Sequence, residues 1–244
     1  MKTACRLAIS ALLICSVFPI AARERQANSD YHARREKLAA KLDDGVALVF
    51  APPETEGPND VYGYFPDANF YYLSGWSEPG AALLVAPAAQ AKDGNPAHPY
   101  TEILFLPSRN YSQERWTGPK LGPDSPNVVQ TTGFERVESL DNMRAEIVKL
   151  FPARGPKIFA DVPIADDTSN STQPLAWLNN ANAFAVGTSY SDIRPLLASL
   201  RTIKDAGEVE LIRKAVDASI AAQFSAIRTI RPGVTEREIA ALLQ

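Results

Sequence analysis

Four short apolar runs along the first two thirds of the chain predict β-strands. They are Val46–Phe50, Ala81–Ala86, Ile103–Leu106 and Lys157–Asp161. Runs of this length are typical of strands, and Pro52–Pro53 stops the first of them. Because apolar residues follow one another almost without interruption, the runs predict strands that are buried on both faces, as in a sheet covered by helices.

Helical spacing of apolar and long side chains appears between and after these runs. A stripe at three- and four-residue steps begins near Ser29 and consists of Tyr31, Arg34, Arg35, Leu38, Ala39 and Leu42. Further helices are predicted over Leu140–Phe151, Gln173–Ala183 and Ser191–Leu200. Since strands and helices alternate, the region Ser29–Ile203 is predicted to form an α/β domain. The segment 88–99 is predicted to be an exposed loop.

A different pattern fills the end of the chain, where one apolar stripe runs along a long amphipathic helix. The stripe consists of Val209, Ile212, Val216, Ile220, Phe224, Ile227 and Ile230. Asp205 and Glu208 have capping-box spacing, so we explain the carboxylates of Glu208 and Glu210 by capping and the helix dipole. Another helix opens at Thr235, and we expect a second domain to begin near Lys204 and continue beyond Gln244.

The first 22 residues, Met1–Ala22, have the layout of a secretory signal peptide, with two cations, an apolar run too short to span a bilayer, and small residues at the end. We therefore expect export to the periplasm or secretion after cleavage near Ala22. Cys15 resembles a lipid-attachment position, but the bulky Ile14 fits that interpretation poorly. Both cysteines lie in this segment, so no disulfide is expected in the mature protein.

Composition excludes several classes of function. A formal charge of -3 gives no basic footprint for nucleic acid. The 2 histidines, His32 and His98, are too few and too far apart for a site of several imidazoles, and we interpret both as structural or solvent-exposed. Phosphate loops, CxxC pairs and G-x-S-x-G elbows are absent from the sequence, which gives no support for nucleotide, zinc-ribbon or serine-hydrolase functions.

Four ordered motifs resemble one family. The stretch Asp67–Gly80, DANFYYLSGWSEPG, resembles the N-terminal domain signature of aminopeptidase P, the Xaa-Pro aminopeptidases. The other motifs, in chain order around it, are Phe50–Glu54, Glu114–Gly122, and Arg201–Lys204 with Glu208–Val209, Ile212–Ala215 and the turn Arg231–Glu236. The last is also similar to the segment where prolidases, creatinases and methionine aminopeptidases begin their pita-bread catalytic domain. The resemblance covers Ser29–Gln244.

The resemblance implies an α/β fold, with a mixed sheet flanked by helices, followed by the first helices of an incomplete pita-bread α+β domain. The implied domains are a signal peptide at 1–22, the aminopeptidase P N-terminal domain at 23–203 and the start of the catalytic domain at 204–244. The family removes the residue before a penultimate proline with two divalent ions, usually manganese, held by two Asp, one His and two Glu. These ligands belong to a later part of the catalytic domain, so we name no catalytic or metal-binding residue here.

Two residues match family positions near the substrate cleft. Trp116 matches a tryptophan that lines the substrate entrance, and Asp60 matches an acidic residue that joins the active-site network across a subunit contact. Family members form dimers or tetramers, so both residues are expected to act toward a neighbouring subunit. The alternatives are that Trp116 covers the sheet edge and that Asp60 is a turn residue in Pro58–Asn59–Asp60.

Other motif residues have simpler interpretations. Tyr71, Tyr72 and Trp76 form an aromatic cluster that we expect to pack in the core. Arg194 and Arg201 resemble basic positions of the interdomain linker, and we favour solvated helix faces for them.

The sequence thus predicts the N-terminal portion of an exported Xaa-Pro aminopeptidase that is inactive by itself. The alternatives are a non-catalytic pita-bread module that binds peptides or proteins, and an enzyme of the prolidase or creatinase type. Fold similarity alone does not decide among them, since this superfamily hosts several chemistries.

Overall fold

In the computed structural model, the described residues are 25–52, 66–161 and 187–243. The chain divides into two compact units, one of which is Ala27–Lys204, while the other contains the helices after Lys204. The predicted signal peptide, the predicted helix Gln173–Ala183 and Asp60 lie outside the described residues. No helix within the described ranges is long and apolar enough to cross a membrane.

The first unit is built around one six-stranded sheet with the strand order β4-β3-β2-β1-β5-β6. The strands are β1 Val46–Phe50, β2 Ala82–Ala86, β3 Thr101–Leu106, β4 Arg136–Ser139, β5 Lys157–Ala160 and β6 Ser189–Asp192. The helices of this unit are α1 Asn28–Ala39, α2 Ala68–Ser74, α3 Tyr111–Thr117, α4 Val128–Thr132, α5 Met143–Leu150 and α6 Arg194–Arg201, and a 3-10 turn at Leu140–Asn142 precedes α5.

The sheet is mixed, as predicted. Strand β2 is antiparallel to both of its neighbours, β1 and β3. The remaining neighbours, β3 with β4, β1 with β5 and β5 with β6, are parallel. It follows that five strands run in one direction and end at the same edge of the sheet, here called the carboxyl edge.

Both faces of the sheet are buried, which confirms the prediction from the apolar runs. On one face Ala47, Val49 and Leu83 pack in a cluster that also includes Leu38 of α1 and Leu73 of α2. Alternate residues of the same strands enter the second cluster, which includes Met143 and Ile147 of α5. Successive strand residues point to opposite faces, so a run must be apolar throughout when helices cover both.

The edge strands β4 and β6 were not predicted. The helix expected over Ser191–Leu200 begins only at Arg194, and Ser189–Asp192 forms β6 instead. This prediction was wrong because the sequence SYSD carries no apolar run. Its residues are exposed or half-buried, and pairing with β5 alone places them in the sheet. The polar strand β4, with sequence RVES, was missed for the same reason.

The second unit contains the helices α7 Ala206–Thr229 and α8 Glu236–Leu243. The predicted capping box is present at the start of α7, where the Asp205 carboxylate accepts the N–H of Glu208 and the Glu208 carboxylate accepts the N–H of Asp205. The predicted apolar stripe lies along α7, and its side chains are 37% to 64% exposed.

Candidate functional site at the carboxyl edge of the sheet

The chain segments that contain the two predicted site residues leave the sheet at the carboxyl edge. After β1 the chain passes Ala51 and Pro52 toward the segment that contains Asp60, which lies outside the described residues. After β3 it passes Pro107 and enters α3, the helix that carries Trp116. Strands β1 and β3 are parallel through β2, so the topology starts both segments at one edge. Ligand sites of open α/β sheets favour such edges.

Helix α3 is short, and Asn110 caps its first turn. The side-chain oxygen of Asn110 accepts the backbone N–H groups of Ser112 and Gln113, at 3.1 and 3.2 Å. Capping of this kind satisfies donors that a helix start leaves free. The helix ends at Gly118, whose φ of 82° is favourable only for glycine.

Trp116 is the most exposed large apolar residue among those that the structure describes, with 91% of its surface accessible. The alternative that its ring covers the sheet edge is therefore wrong. Large aromatic side chains are usually mostly buried, but single exposed ones also occur on ordinary protein surfaces, so the exposure alone assigns no role. Its role at the substrate entrance stays a prediction.

A partly buried ion pair between Arg109, in the loop after β3, and Glu114 of α3 holds the start of the helix. Arg109 Nε donates to Glu114 Oε1 at 2.9 Å, and a second guanidinium nitrogen binds Glu114 Oε2. The guanidinium carbon lies 4.7 Å from the ring centroid of Tyr111. The hydrogen bond from Arg109 lowers the pKa of Glu114 below its ordinary value. Arg109 thus ties the helix that presents Trp116 to the loop after β3.

A groove with a volume of about 150 Å³ lies beside α3. Its apolar wall includes Trp76, Pro79, Pro107 and Leu121, and its polar rim includes Glu78, Arg109, Glu114 and Lys120. Trp76 is 9% exposed, and its buried indole nitrogen has no hydrogen-bond acceptor in the described parts of the chain. Leaving a buried donor without an acceptor costs about 1–3 kcal/mol, so this group needs an explanation.

Toward the other edge of the sheet, near the start of β3, a buried ion pair joins α1 to this strand. Arg35 Nε donates to Glu102 Oε2 at 2.7 Å, another guanidinium nitrogen donates to Oε1 at 2.9 Å, and both side chains have no accessible surface. Arg35 also donates to the carbonyls of Leu73 and Gly133, at 2.9 and 3.0 Å. Its guanidinium carbon lies 3.8 Å from the ring centroid of Phe134. Arg35 therefore connects its own helix α1 with β3, the end of α2 and the turn after α4.

Two further groups face the Glu102 carboxylate. The Tyr100 hydroxyl donates to Glu102 Oε2 at 2.6 Å, and His32 Nδ1 lies 3.1 Å from the same oxygen. Burial opposes the charge of Glu102, but Arg35, Tyr100 and His32 favour it, and the pKa of Glu102 lies below its ordinary value. Burial and the bond to Glu102 raise the pKa of Tyr100. This network was not predicted from the sequence. Two features of the sequence could have indicated it: Glu102 lies inside a buried strand, and Arg34 and Arg35 lie inside an apolar helical stripe.

The histidines agree with the structural interpretation. His32 contacts Glu102, as described above. His98 lies in the predicted exposed segment 88–99, where its ring meets Phe151 edge-on at 5.5 Å between centroids. It also lines a larger cavity of about 350 Å³ at the opposite edge of the sheet. Two ion pairs lie at this cavity, Lys92–Asp44 at 2.5 Å and Arg154–Asp93 at 3.5 Å. In each pair the carboxylate balances the positive charge of its partner.

The aromatic motif residues pack largely as predicted. Tyr72 and Trp76 are both 9% exposed and belong to one core cluster, which confirms the prediction for them. The Tyr72 hydroxyl donates to the carbonyl of Leu200 at 3.2 Å. Tyr71 is only half-buried and meets Tyr31 edge-on, with 6.2 Å between the ring centroids.

Solvated helix faces do not describe the two arginines of α6. Arg194 Nε lies 2.9 Å from Asp192 Oδ1 and 3.2 Å from Asp161 Oδ1. Arg201 donates to the side-chain oxygen of Asn69 at 2.6 Å. The prediction was wrong because β6 and β5 bring carboxylates to the start of α6, which the expected longer helix concealed. Burial raises the pKa of Asp161, while Arg194 opposes that rise.

The described residues offer no group of three or more His, Cys, Asp or Glu side chains that could hold a metal ion. The part of the chain that the structure describes therefore does not fit the two-metal centre that the resemblance implies. The carboxyl edge offers the exposed ring of Trp116 and the groove beside α3, which suit contact with a ligand.

Comparisons with known proteins give consistent results. A family model described as the aminopeptidase P N-terminal domain matches residues 31–159. The Xaa-Pro aminopeptidase of Escherichia coli (strain K12) is 26% identical over 216 residues, which cover 85% of this chain and 46% of that protein. That of Haemophilus influenzae is 27% identical over 217 residues, with 86% and 45% covered. The chain spans about half the length of these curated relatives.

Solved structures agree on the fold. Zinc-substituted E. coli aminopeptidase P in complex with product matches with a TM-score of 0.71 and 21% identity, over 90% of this chain and 49% of that chain. The E. coli enzyme with the inhibitor Pro-Leu matches with a TM-score of 0.70 and the same 21% identity. At this identity the likeness concerns the fold, and the mixed sheet with flanking helices is that of these structures.

Proposed function

The chain belongs to the aminopeptidase P N-terminal domain family, and from this membership we propose that it is the N-terminal part of an Xaa-Pro aminopeptidase. Such an enzyme removes the N-terminal residue of a peptide whose second residue is proline. The observation that carries the proposal is Trp116, which is 91% exposed on a helix anchored at the carboxyl edge. A flat, uncovered ring there suits contact with a proline ring or another apolar residue.

The chain's own contribution is substrate access and assembly. In this proposal Trp116 contacts the peptide at the entrance, and Asp60 joins a hydrogen-bond network at a neighbouring subunit's site. We propose a dimer or tetramer, because residues of this domain would then reach the site of another copy. A monomer in light scattering of the longer protein would contradict these two roles.

We assign the metal centre to chain beyond Gln244. The proposed ions are two divalent cations, most simply manganese, which carboxylate and imidazole ligands suit. Residues 204–244 are proposed to open that catalytic domain. The exposed stripe on α7 supports this, since an apolar helix face is normally covered by another element. Residues 1–22 are proposed to direct export to the periplasm or the outside of the cell.

The test is peptide hydrolysis by the longer protein that contains this chain. With manganese added, we expect it to cleave a tripeptide with a central proline, Ala-Pro-Ala, faster than the dipeptide Ala-Pro, and to leave creatine intact. The 244-residue chain serves as the matched control and should be inactive. Cleavage of only the dipeptide would indicate a prolidase, and peptide binding without cleavage would indicate a binding module. Either outcome would overturn the proposal.

A further inference from the structure

We propose that Glu114 is a positioning residue, which through its ion pair with Arg109 sets the direction in which α3 presents Trp116. The inference rests on the proposed function, in which the Trp116 ring contacts the peptide at the substrate entrance. It deepens that function by naming the group that holds the contact ring in place. Glu114 itself does not touch the peptide in this proposal.

The first observation is that α3 has no apolar anchor in the core. None of its 7 residues is buried, and Glu114 is the only one of them that is not exposed. A helix of this length is not stable by itself, and most helices in proteins are stabilised by the packing of an apolar face. In α3 the polar contacts of Asn110 and Glu114 take the place of that packing.

The second observation is the set of groups around the Glu114 carboxylate. Its side chain is 8% exposed, and each of its two oxygens accepts a hydrogen bond from the Arg109 guanidinium. The hydrogen bond from Arg109 is the main cause of the lowered pKa of Glu114. Burial opposes it, and the backbone N–H of Lys120 lowers the pKa further. The carboxylate therefore faces the chain both before and after α3.

The third observation is that Arg109 is itself held in position. Its guanidinium carbon lies 4.7 Å from the ring centroid of Tyr111. A Cβ atom at Gly122 would lie 2.5 Å from Cγ of Arg109, much closer than the roughly 3.5–4.0 Å at which carbon atoms pack. Glycine at position 122 thus leaves room for the arginine stem. Arg109 offers Glu114 a fixed partner rather than a mobile surface cation.

Helix geometry connects the fixed carboxylate with the direction of the exposed ring. Residues two positions apart in an α-helix are separated by about 200° around its axis, so Glu114 and Trp116 lie on nearly opposite sides of α3. Their exposures agree with this, since the Glu114 side chain is 8% exposed and Trp116 is 91% exposed. Holding Glu114 inward therefore holds the ring outward. A ring that is already oriented loses less freedom when a peptide binds.

The test measures cleavage of Ala-Pro-Ala by the longer protein that contains this chain. E114A should raise KM about two- to tenfold and leave kcat unchanged, as expected when a contact side chain must be ordered on binding. E146A is the matched control, because the Glu146 side chain is 7% exposed and also accepts hydrogen bonds from two cations, Arg136 and Lys149. Glu146 belongs to α5, and we expect its substitution to leave KM unchanged.

A double substitution separates positioning from other effects of the lost carboxylate. If Glu114 acts through the ring, E114A/W116A should have the same KM as W116A. A direct effect of the unpaired Arg109 on the peptide would persist without the ring, as would a general loss of structure. Hydrogen exchange followed by mass spectrometry should show faster exchange of the α3 amides in E114A, with β3 unchanged. If E114A does not fold, E114Q, which keeps the shape of the side chain, replaces it in each comparison.

Three results would overturn the inference: an unchanged KM in E114A, an equal rise of KM with and without the Trp116 ring, or faster exchange that extends into β3. The last would indicate that Glu114 stabilises the whole unit rather than α3. The proposed function fails by a different result, absence of Ala-Pro-Ala cleavage by the unmodified longer protein. The two failures are therefore distinguishable.

Discussion

Arg35 and Trp116 reverse the usual places of charged and aromatic residues within one unit. Arg35 has no accessible surface, whereas Trp116 is 91% exposed. The surroundings of Arg35 explain its burial, because Glu102 and two carbonyls accept its hydrogens. The described residues provide no comparable reason for the exposure of Trp116. The comparison separates a residue bonded within its own unit from one for which we propose a contact with the substrate.

The largest effect on stability is expected from substitution of the buried Arg35. R35M leaves the Glu102 charge buried without its partner, and removing one member of a buried pair typically costs about 3–5 kcal/mol. We expect a loss of this size in the free energy of unfolding, measured by urea denaturation. R136M is the control, because Arg136 is 43% exposed and its partner Glu146 keeps an ion pair with Lys149, so we expect a smaller loss. Equal losses in both variants would contradict a special role for the buried pair.

The same pair predicts a dependence of stability on pH. The pKa of Glu102 is lowered in the folded chain, so its ionised form is favoured by folding. This contribution is complete above the unfolded value of about 4.3 and is lost as pH falls through the lower folded pKa. The difference in unfolding free energy between the unmodified chain and E102Q should therefore be constant near neutrality and shrink below about pH 4.3. Urea denaturation from pH 7 to pH 2.5 measures it, and a difference that widens in acid would contradict the sign.

The sequence predicts the centre of the fold better than its margins. Strands β1, β2, β3 and β5 have apolar runs because helices cover both of their faces. The edge strands β4 and β6 lack such runs, since backbone pairing with one neighbour places them. Local pattern contains no information about that pairing, so a helix was predicted where SYSD forms a strand.

For the candidate site, the sequence predicted some residues and their surroundings but not others. A family motif pointed to Trp116, but its exposure could not be derived from local sequence, because packing decides it. Trp76 was expected in the core and is there. The absence of an acceptor for its indole nitrogen among the described residues could not be predicted from local sequence, because it depends on packing. The Arg35–Glu102 pair spans 67 positions, so periodicity placed Arg35 on a helical stripe but did not predict its burial or its partner.

The smallest change in stability is expected from substitution of the exposed Trp116. W116A removes a ring that contacts little of its own chain, so the unfolding free energy should change by less than about 0.5 kcal/mol. In the longer protein, loss of a substrate contact should instead lower kcat/KM for Ala-Pro-Ala about tenfold, chiefly by raising KM, as expected for an aromatic residue that contributes about 1–2 kcal/mol to binding. W116F restores a flat ring and should recover most of this loss. An unchanged kcat/KM together with a large loss of stability would reverse the comparison, since Trp116 would then be needed for folding rather than for a ligand.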